Sequence, residues 1–269
     1  MVILITGASS GMGKQVAILL AKAGNTVYGG ARHLDKMKDL EKLGIHTVQL
    51  DVTDPTSCQV CVEQILHDHG RIDVLINCAG YGSFGPVEEV PIQEAKNQIN
   101  VNVLGIARLS KLVIPSMRKH QFGKIINLAS IAGKVPMHFG DWYNVSKYAV
   151  EALSSDMRIE LSPFGIQVII IEPGIIKTPW GKIAANHLIK TVKGDVYEKP
   201  GMKMAHTLEH MYRPDGNATA PIKIARVICD ATVTKKPKAR YLVGRYAKLI
   251  VFLHAILPTS WFDHIMQRV

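Results

Sequence analysis

Short runs of Val, Ile and Leu recur along the chain, each nearly unbroken by polar residues and separated from the next by amphipathic stretches. They lie at Val2–Thr6, Thr26–Gly30, His46–Asp51, Val74–Asn77, Lys124–Ser130 and Gln167–Glu172, with a late one at Arg240–Val243. A strand that is apolar on both faces is covered on both faces, as in a parallel sheet flanked by helices. Helical spacing predicts helices between the runs, among them Lys14–Ala23, Pro55–His69 and Asp141–Leu161, with Gly24 closing the first. The alternation predicts an α/β fold: one doubly wound domain over residues 1–269, with about seven parallel strands. Between Thr178 and Pro221 the pattern fails, interrupted by Gly181, Gly194, Pro200, Gly201, Pro214 and Gly216. So long an irregular stretch is usually functional, and it reads as a mobile substrate lid over about 178–220 with one or two short helices. Pro221 then opens a helix over Ile222–Ala231. An apolar helical tail is expected over 245–269.

Composition narrows the classes. Hydrophobic residues make up 47% and charged residues 20%, enough for a buried core and far from disorder. No apolar run reaches the roughly 18 residues of a membrane span. The chain opens directly on a strand-like run, so no signal peptide is expected. Four irregularly spaced cysteines do not form a disulfide framework, and a reducing cytoplasm is the expected home. Cys58 and Cys61 form a C-x-x-C on an expected helix, but no second ligand pair follows, so structural thiols and no metal are expected. The net charge of +10 suits nucleic acid, an anionic membrane or a phosphorylated ligand. No basic-aromatic repeat supports nucleic acid. Apolar Leu249–Leu257, read beside Lys235, Lys236, Lys238 and Arg240, could rest on a membrane, on the domain body or on another subunit.

The first strand runs into Thr6-Gly7-Ala8-Ser9-Ser10-Gly11-Met12-Gly13 and then a helix. Glycines let the backbone turn sharply and approach a pyrophosphate, and the N–H groups and dipole at the helix start favour its charge. The strand-to-helix junction makes Gly7, Ser9, Ser10, Gly11, Met12 and Gly13 a candidate dinucleotide cradle. Arg32 follows the second strand, where an acidic residue would select NAD; a guanidinium suits a 2′-phosphate, so NADP(H) is expected over NAD(H). Tyr143 and Lys147 form a Y-x-x-x-K on the long helix, one face and one turn apart. An ammonium there would favour phenolate and bring the phenol, ordinarily near 10, towards neutral pH.

The T-G-x-x-x-G-x-G spacing resembles the short-chain dehydrogenase/reductase family, and the resemblance covers nearly the whole chain. It implies a Rossmann-type domain and a set of site residues. Asp51 and Val52 would contact adenine; Asn77, Ala79 and Gly80 belong to a motif in which Cys78 departs from an Asn; Pro173, Gly174, Ile176 and Thr178 would meet the nicotinamide carboxamide. Ser130 would hydrogen-bond the substrate oxygen, Tyr143 would be the acid/base, Lys147 would tune it and bind the nicotinamide ribose, and Asn102 would hold a water leading protons to Lys147. Asn100 is the rival, but the N-x-x-G spacing selects Asn102. The implied reaction moves a hydride between NADP(H) and a carbonyl or alcohol. A homodimer or homotetramer is the family's habit.

Substrate walls are expected from Tyr81, Phe84, Met137, His138, Phe139, Trp142, Trp180, Tyr197, Met204 and Met211, which suit a bulky apolar molecule. Of these, Met137, His138 and Trp180 are the candidates beside Ser130 and Tyr143. The tail from Lys236-Pro237-Lys238-Ala239-Arg240 through Gly244 resembles the 17β-hydroxysteroid dehydrogenase-like subset, retinol dehydrogenase-like proteins included, which implies a steroid, retinoid or other lipid-like substrate. The rival readings are a 3-oxoacyl-thioester or acyl-ketone reductase, a non-catalytic nucleotide sensor on the same fold, and a basic binding module.

Overall fold

Seven parallel strands form one sheet in the order β3-β2-β1-β4-β5-β6-β7. In chain order they are β1 (Val2–Thr6), β2 (Thr26–Ala31), β3 (His46–Gln49), β4 (Val74–Asn77), β5 (Gly123–Leu128), β6 (Ile166–Pro173) and β7 (Arg240–Val243). The helices are α1 (Gly11–Lys22), α2 (Lys38–Glu41), α3 (Pro55–His69), α4 (Ile92–Ile99), α5 (Gly105–Lys119), α6 (Asp141–Leu161), α7 (Trp180–Val192), α8 (Glu198–Met211), α9 (Pro221–Val233), α10 (Ala247–Ile256) and α11 (Thr259–Arg268). The computed structural model describes residues 1–178, 180–194, 196–213 and 218–268; Pro214 and Gly216, expected as lid breakers, lie outside them.

The apolar runs become strands because both faces of the sheet are covered. Ile3 and Ile5 pack with Val16, Leu20, Ile224 and Ile228 beneath α1 and α9. Their neighbours Val2 and Leu4 point the other way, into Ile65, Leu109 and Val113 beneath α3 and α5. Cys58 and Cys61 belong to this second layer as free, buried thiols. Burial pushes them up to about 11 and about 12, which fits packing rather than reactivity.

The strand ends differ slightly from the sequence reading. β5 stops at Leu128, so Ser130 stands beyond it and caps the short turn Ile131–Gly133. β3 stops at Gln49, which frees Asp51 for the rim. A larger difference is the stretch read as an irregular lid. It contains two full helices, α7 and α8, packed on each other and over Phe84, Phe139 and Tyr143. The tail forms α10 and α11 and turns back over the body, with Phe262 buried. The basic cluster Lys235–Arg240 leads into β7, whereas α10 follows the strand's exit, so the cluster and the apolar tail lie at opposite ends of β7 rather than side by side.

Candidate active site

Chain order reverses between β1 and β4, and the crevice at the carboxyl ends of these strands is where an open α/β sheet takes its ligand. Thr6 closes β1, and its hydroxyl accepts the N–H groups of Cys78 (3.1 Å) and Ala79 (2.9 Å), which ties the end of β4 to the glycine turn. Gly7 sits at φ +69°, where a Cβ would lie 3.0 Å from Ala79 Cα; at Gly13 a Cβ would lie 2.5 Å from the Gly7 carbonyl oxygen. The turn is therefore bare backbone. Ser10, extended, precedes the first turn of α1 without bonding back to it, so the leading N–H groups there have no side-chain cap. A cradle of this shape at a helix N-terminus fits a pyrophosphate. Thr178 reaches back over the cradle, its Cγ2 only 3.9 Å from where a Gly11 Cβ would be.

Arg32 is exposed immediately after β2. Across the rim, Asp51 accepts from the backbone N–H (2.9 Å) and hydroxyl (2.7 Å) of Thr53. Burial pushes the Asp51 carboxyl up, but the Thr53 bonds and the charges of Arg32 and Arg108 outweigh it, leaving it below the usual range. Val52 is buried beside Gly105, whose missing side chain lets it approach. Asn77 is turned into the core, away from the cavity described next. Its amide donates to Asn127 (2.8 Å), which donates to Ser154 (2.9 Å), a buried ladder joining β4, β5 and α6.

Tyr143 and Lys147 occupy the first two turns of α6, both buried. The Ser130 hydroxyl neighbours the Tyr143 phenol and draws its pKa down. That hydroxyl also accepts from the Ala132 N–H (3.2 Å) and lies 3.5 Å from the Pro173 carbonyl. Lys147 Nζ donates to the Leu128 carbonyl (2.8 Å) and stands 5.7 Å from the centre of the Tyr143 ring. Asn102 lies in a π-turn, Asn100–Leu104, set between α4 and α5. Its amide donates to the Tyr81 carbonyl (2.9 Å) and the Ser146 hydroxyl (3.0 Å), and its oxygen accepts the Tyr81 N–H (3.0 Å). The tips of Asn102 and Lys147 both face Gly80, 3.0 and 3.9 Å from where its Cβ would be. Asn100 instead accepts from Arg108.

These groups border a cavity of about 250 Å³. Met12, Gly80, Ser130, Tyr143 and Lys147 line it together with Pro173, Gly174, Ile176 and Thr178. Met137, His138 and Trp180 line it too, as do Tyr81, Met204 and Met211. Phe84 and Phe139 back the wall as core, and the Tyr197 hydroxyl is engaged by Glu88. Trp142 is likewise absent from the lining. The sequence reading missed Leu208 and Tyr212 from the lid and Ile250, Leu253, Phe262 and Met266 from the tail. Their helical spacing was the available signal, but nothing in it pointed towards Tyr143.

The electrostatics differ from the expectation in one respect. Burial pushes the Tyr143 phenol up to about 12, against a downward pull from Ser130. Burial also pulls Lys147 down to about 8, against the upward pull of Cys78 and Glu151. In the protein alone the ammonium therefore does not bring the phenol towards neutrality. Dehydration dominates both groups, and the Lys147 ammonium points at a carbonyl rather than at the phenol oxygen.

Residues 1–187 match the family model described as short chain dehydrogenase. A short-chain type dehydrogenase/reductase from Helicobacter pylori is 37% identical over 99% of this chain and 96% of its own length. A 3-ketodihydrosphingosine reductase from Bacteroides thetaiotaomicron is also 37% identical, over 99% and 95%. Among solved structures, a short-chain dehydrogenase from Streptomyces avermitilis superposes with a TM-score of 0.81 at 30% identity, covering 99% of this chain and 95% of that one.

Proposed function

The chain belongs to the short-chain dehydrogenase/reductase family and is an oxidoreductase, and from that premise we propose that it uses NADP(H) to interconvert a bulky, lipid-like ketone and its alcohol. The observation that carries the reading is the convergence of Ser130, Tyr143 and Lys147 on the wall of one mostly apolar cavity, beside the glycine cradle.

When bound, the nicotinamide supplies or accepts the hydride equivalent. Ser130 and Tyr143 hold the substrate oxygen between two hydroxyls and polarise the carbonyl. Burial keeps the Tyr143 phenol protonated at neutral pH, so in the reducing direction it has a proton to give to that oxygen. Lys147 contributes positive charge beside the phenol and is aimed by its bond to the Leu128 carbonyl. Asn102, locked to Tyr81 and Ser146 in the π-turn, would hold a water through which a proton from solvent reaches Lys147. In the same reading Ser9, Ser10 and the glycine turn hold the pyrophosphate, Asp51 and Val52 flank the adenine, and Arg32 takes a 2′-phosphate through charge-assisted bonds. Met137, His138 and Trp180 then shape the substrate side.

The substrate class rests on the wall chemistry and on one relative's name. Methionines and aromatic rings make a mostly apolar, adaptable surface. A relative at 37% identity is named for reducing 3-ketodihydrosphingosine, which makes a keto-lipid the first substrate to try. The testing experiment is a panel of long-chain ketones, steroid ketones and acetoacetyl thioesters, run with NADPH and NADH. Turnover is expected with long-chain or steroid ketones. Tyr143→Phe should bind NADPH normally and lose nearly all turnover, and Arg32→Ala should raise KM for NADPH far more than for NADH. Retained turnover in the first variant, or equal effects on both cofactors in the second, would refute the corresponding assignment.

A further inference from the structure

The tail helices bury one apolar face each and leave further large apolar side chains exposed. Ile250 and Leu253 of α10, with Phe262 and Met266 of α11, face the cavity, and His254 packs edge-on against Phe262 with ring centres 4.7 Å apart. That contact joins the two helices. Outside that lining, Leu249, Phe252 and Ile256 of α10 and Trp261 of α11 are each more than half exposed, with Phe252 at 58% and Trp261 at 66%. The inward side explains why the helices fold onto the body. It does not explain four large apolar side chains turned outward within thirteen residues (249–261). Singly exposed apolar residues are ordinary, but a contiguous group marks a contact surface.

The edge of the group carries cations. Arg245 and Lys248 are exposed at the start of α10, and Arg245 lies over the Tyr246 ring at 4.8 Å. Asp263 is the one carboxylate in residues 245–268, and the whole chain carries +10. Neither helix is long enough to cross a bilayer, and none among the described residues qualifies as a span. An apolar face with Trp and Tyr at its margin and Arg and Lys beside it is the pattern of a helix lying in the plane of a lipid–water interface.

We propose that the outer face of α10 and α11 docks on an anionic phospholipid bilayer. Leu249, Phe252, Ile256 and Trp261 enter the acyl boundary, and Arg245 and Lys248 meet the headgroups. Only this helix pair then separates the bilayer from the cavity, so a lipid substrate reaches Tyr143 from the membrane side. The route depends on the keto-lipid reading; the docking does not.

Flotation with vesicles of phosphatidylcholine, with and without phosphatidylserine, tests the docking without any substrate. The full chain should float with the phosphatidylserine vesicles, and the fluorescence of exposed Trp261 should shift to the blue and be quenched by brominated lipid. The double variant Phe252→Glu, Trp261→Glu should lose about tenfold or more in vesicle partitioning. Its NADPH binding, and its turnover of any soluble ketone the native chain reduces, should be unchanged, because neither residue lines the cavity. Absence of flotation, equal flotation of the double variant, or a change from a larger to a smaller assembly in sedimentation of that variant would overturn the proposal; the last would assign the face to a second copy of the chain. Vesicle binding with no turnover of any ketone would leave the docking standing and remove the substrate reading.

Discussion

At the scale of single residues, the site is governed by dehydration. Tyr143 and Lys147 are both held in their neutral direction, the phenol up at about 12 and the ammonium down at about 8. Lys147 therefore carries its charge below about pH 8 and loses it above. Carbonyl reduction should be level up to that point, because the phenol keeps its proton throughout, and should then fall towards ~tenfold per pH unit as the charge beside it disappears. The falling limb belongs to Lys147, since Tyr143 titrates far higher. Stability moves in the opposite sense. A lysine whose folded pKa lies below its unfolded value of about 10.5 binds fewer protons in the folded chain, so stability rises with pH between about 8 and 10.5. Kcat/KM for reduction against pH, and denaturant melts of the native chain and Lys147→Met over the same range, check both. A limb near 10, or the same stability rise in the variant, would contradict the assignment.

At the scale of elements, the lid shows why part of the fold was hidden in the sequence. Gly181, Pro200 and Gly201 read as chain breakers, yet all three lie inside helices. Pro200 occupies the third position of α8, where its missing N–H would have no partner within the helix. A Cβ on Gly181 would strike the Tyr212 ring at 2.3 Å, and one on Gly201 would lie 2.8 Å from both Val192 methyls. These glycines serve close packing rather than turning, a distinction that composition does not encode. The inner strands, by contrast, were legible because β1, β2, β4, β5 and β6 are buried on both faces, and Tyr143, Lys147, Ser130 and the glycine turn because they follow fixed local spacings. Tyr212, Leu253 and Phe262 reach the cavity only through tertiary folding. Gly201→Val should therefore push α8 off α7 and cost about 2 kcal/mol. Val192→Ala in the same chain should recover part of that loss, making the pair less than additive in urea melts. Strict additivity would mean that the two helices do not meet there.

At the scale of the whole molecule, one ionic cluster ties the last strand to the catalytic helix. Arg240 of β7 bonds Glu151 of α6 and Glu172 of β6 (2.8 Å), and also donates to the Ser155 hydroxyl (2.9 Å). Lys134 adds a second cation, 3.3 Å from Glu172 and 3.7 Å from Glu151. Glu151 stands one helical turn beyond Lys147, and β7 receives the Gly174 N–H at its Val243 carbonyl, so the cluster joins the body of the sheet to the strip beneath the cavity. The Glu172 side chain is only 2% exposed. Removing its main cation leaves buried carboxylates with Lys134 alone, and breaking a buried pair in this way costs about 3 kcal/mol or more. Arg240→Leu should show that loss at pH 8. Burial already raises the Glu151 carboxyl above its usual range against the pull of Arg240, so without Arg240 it rises further. A raised carboxyl binds more protons folded than unfolded, and its penalty grows as pH climbs above the unfolded value near 4.5. The variant's deficit in melting temperature should accordingly shrink at pH 5 relative to pH 8. A deficit equal at the two pH values would show that Arg240 acts through packing of its stem against β7 rather than through its charge.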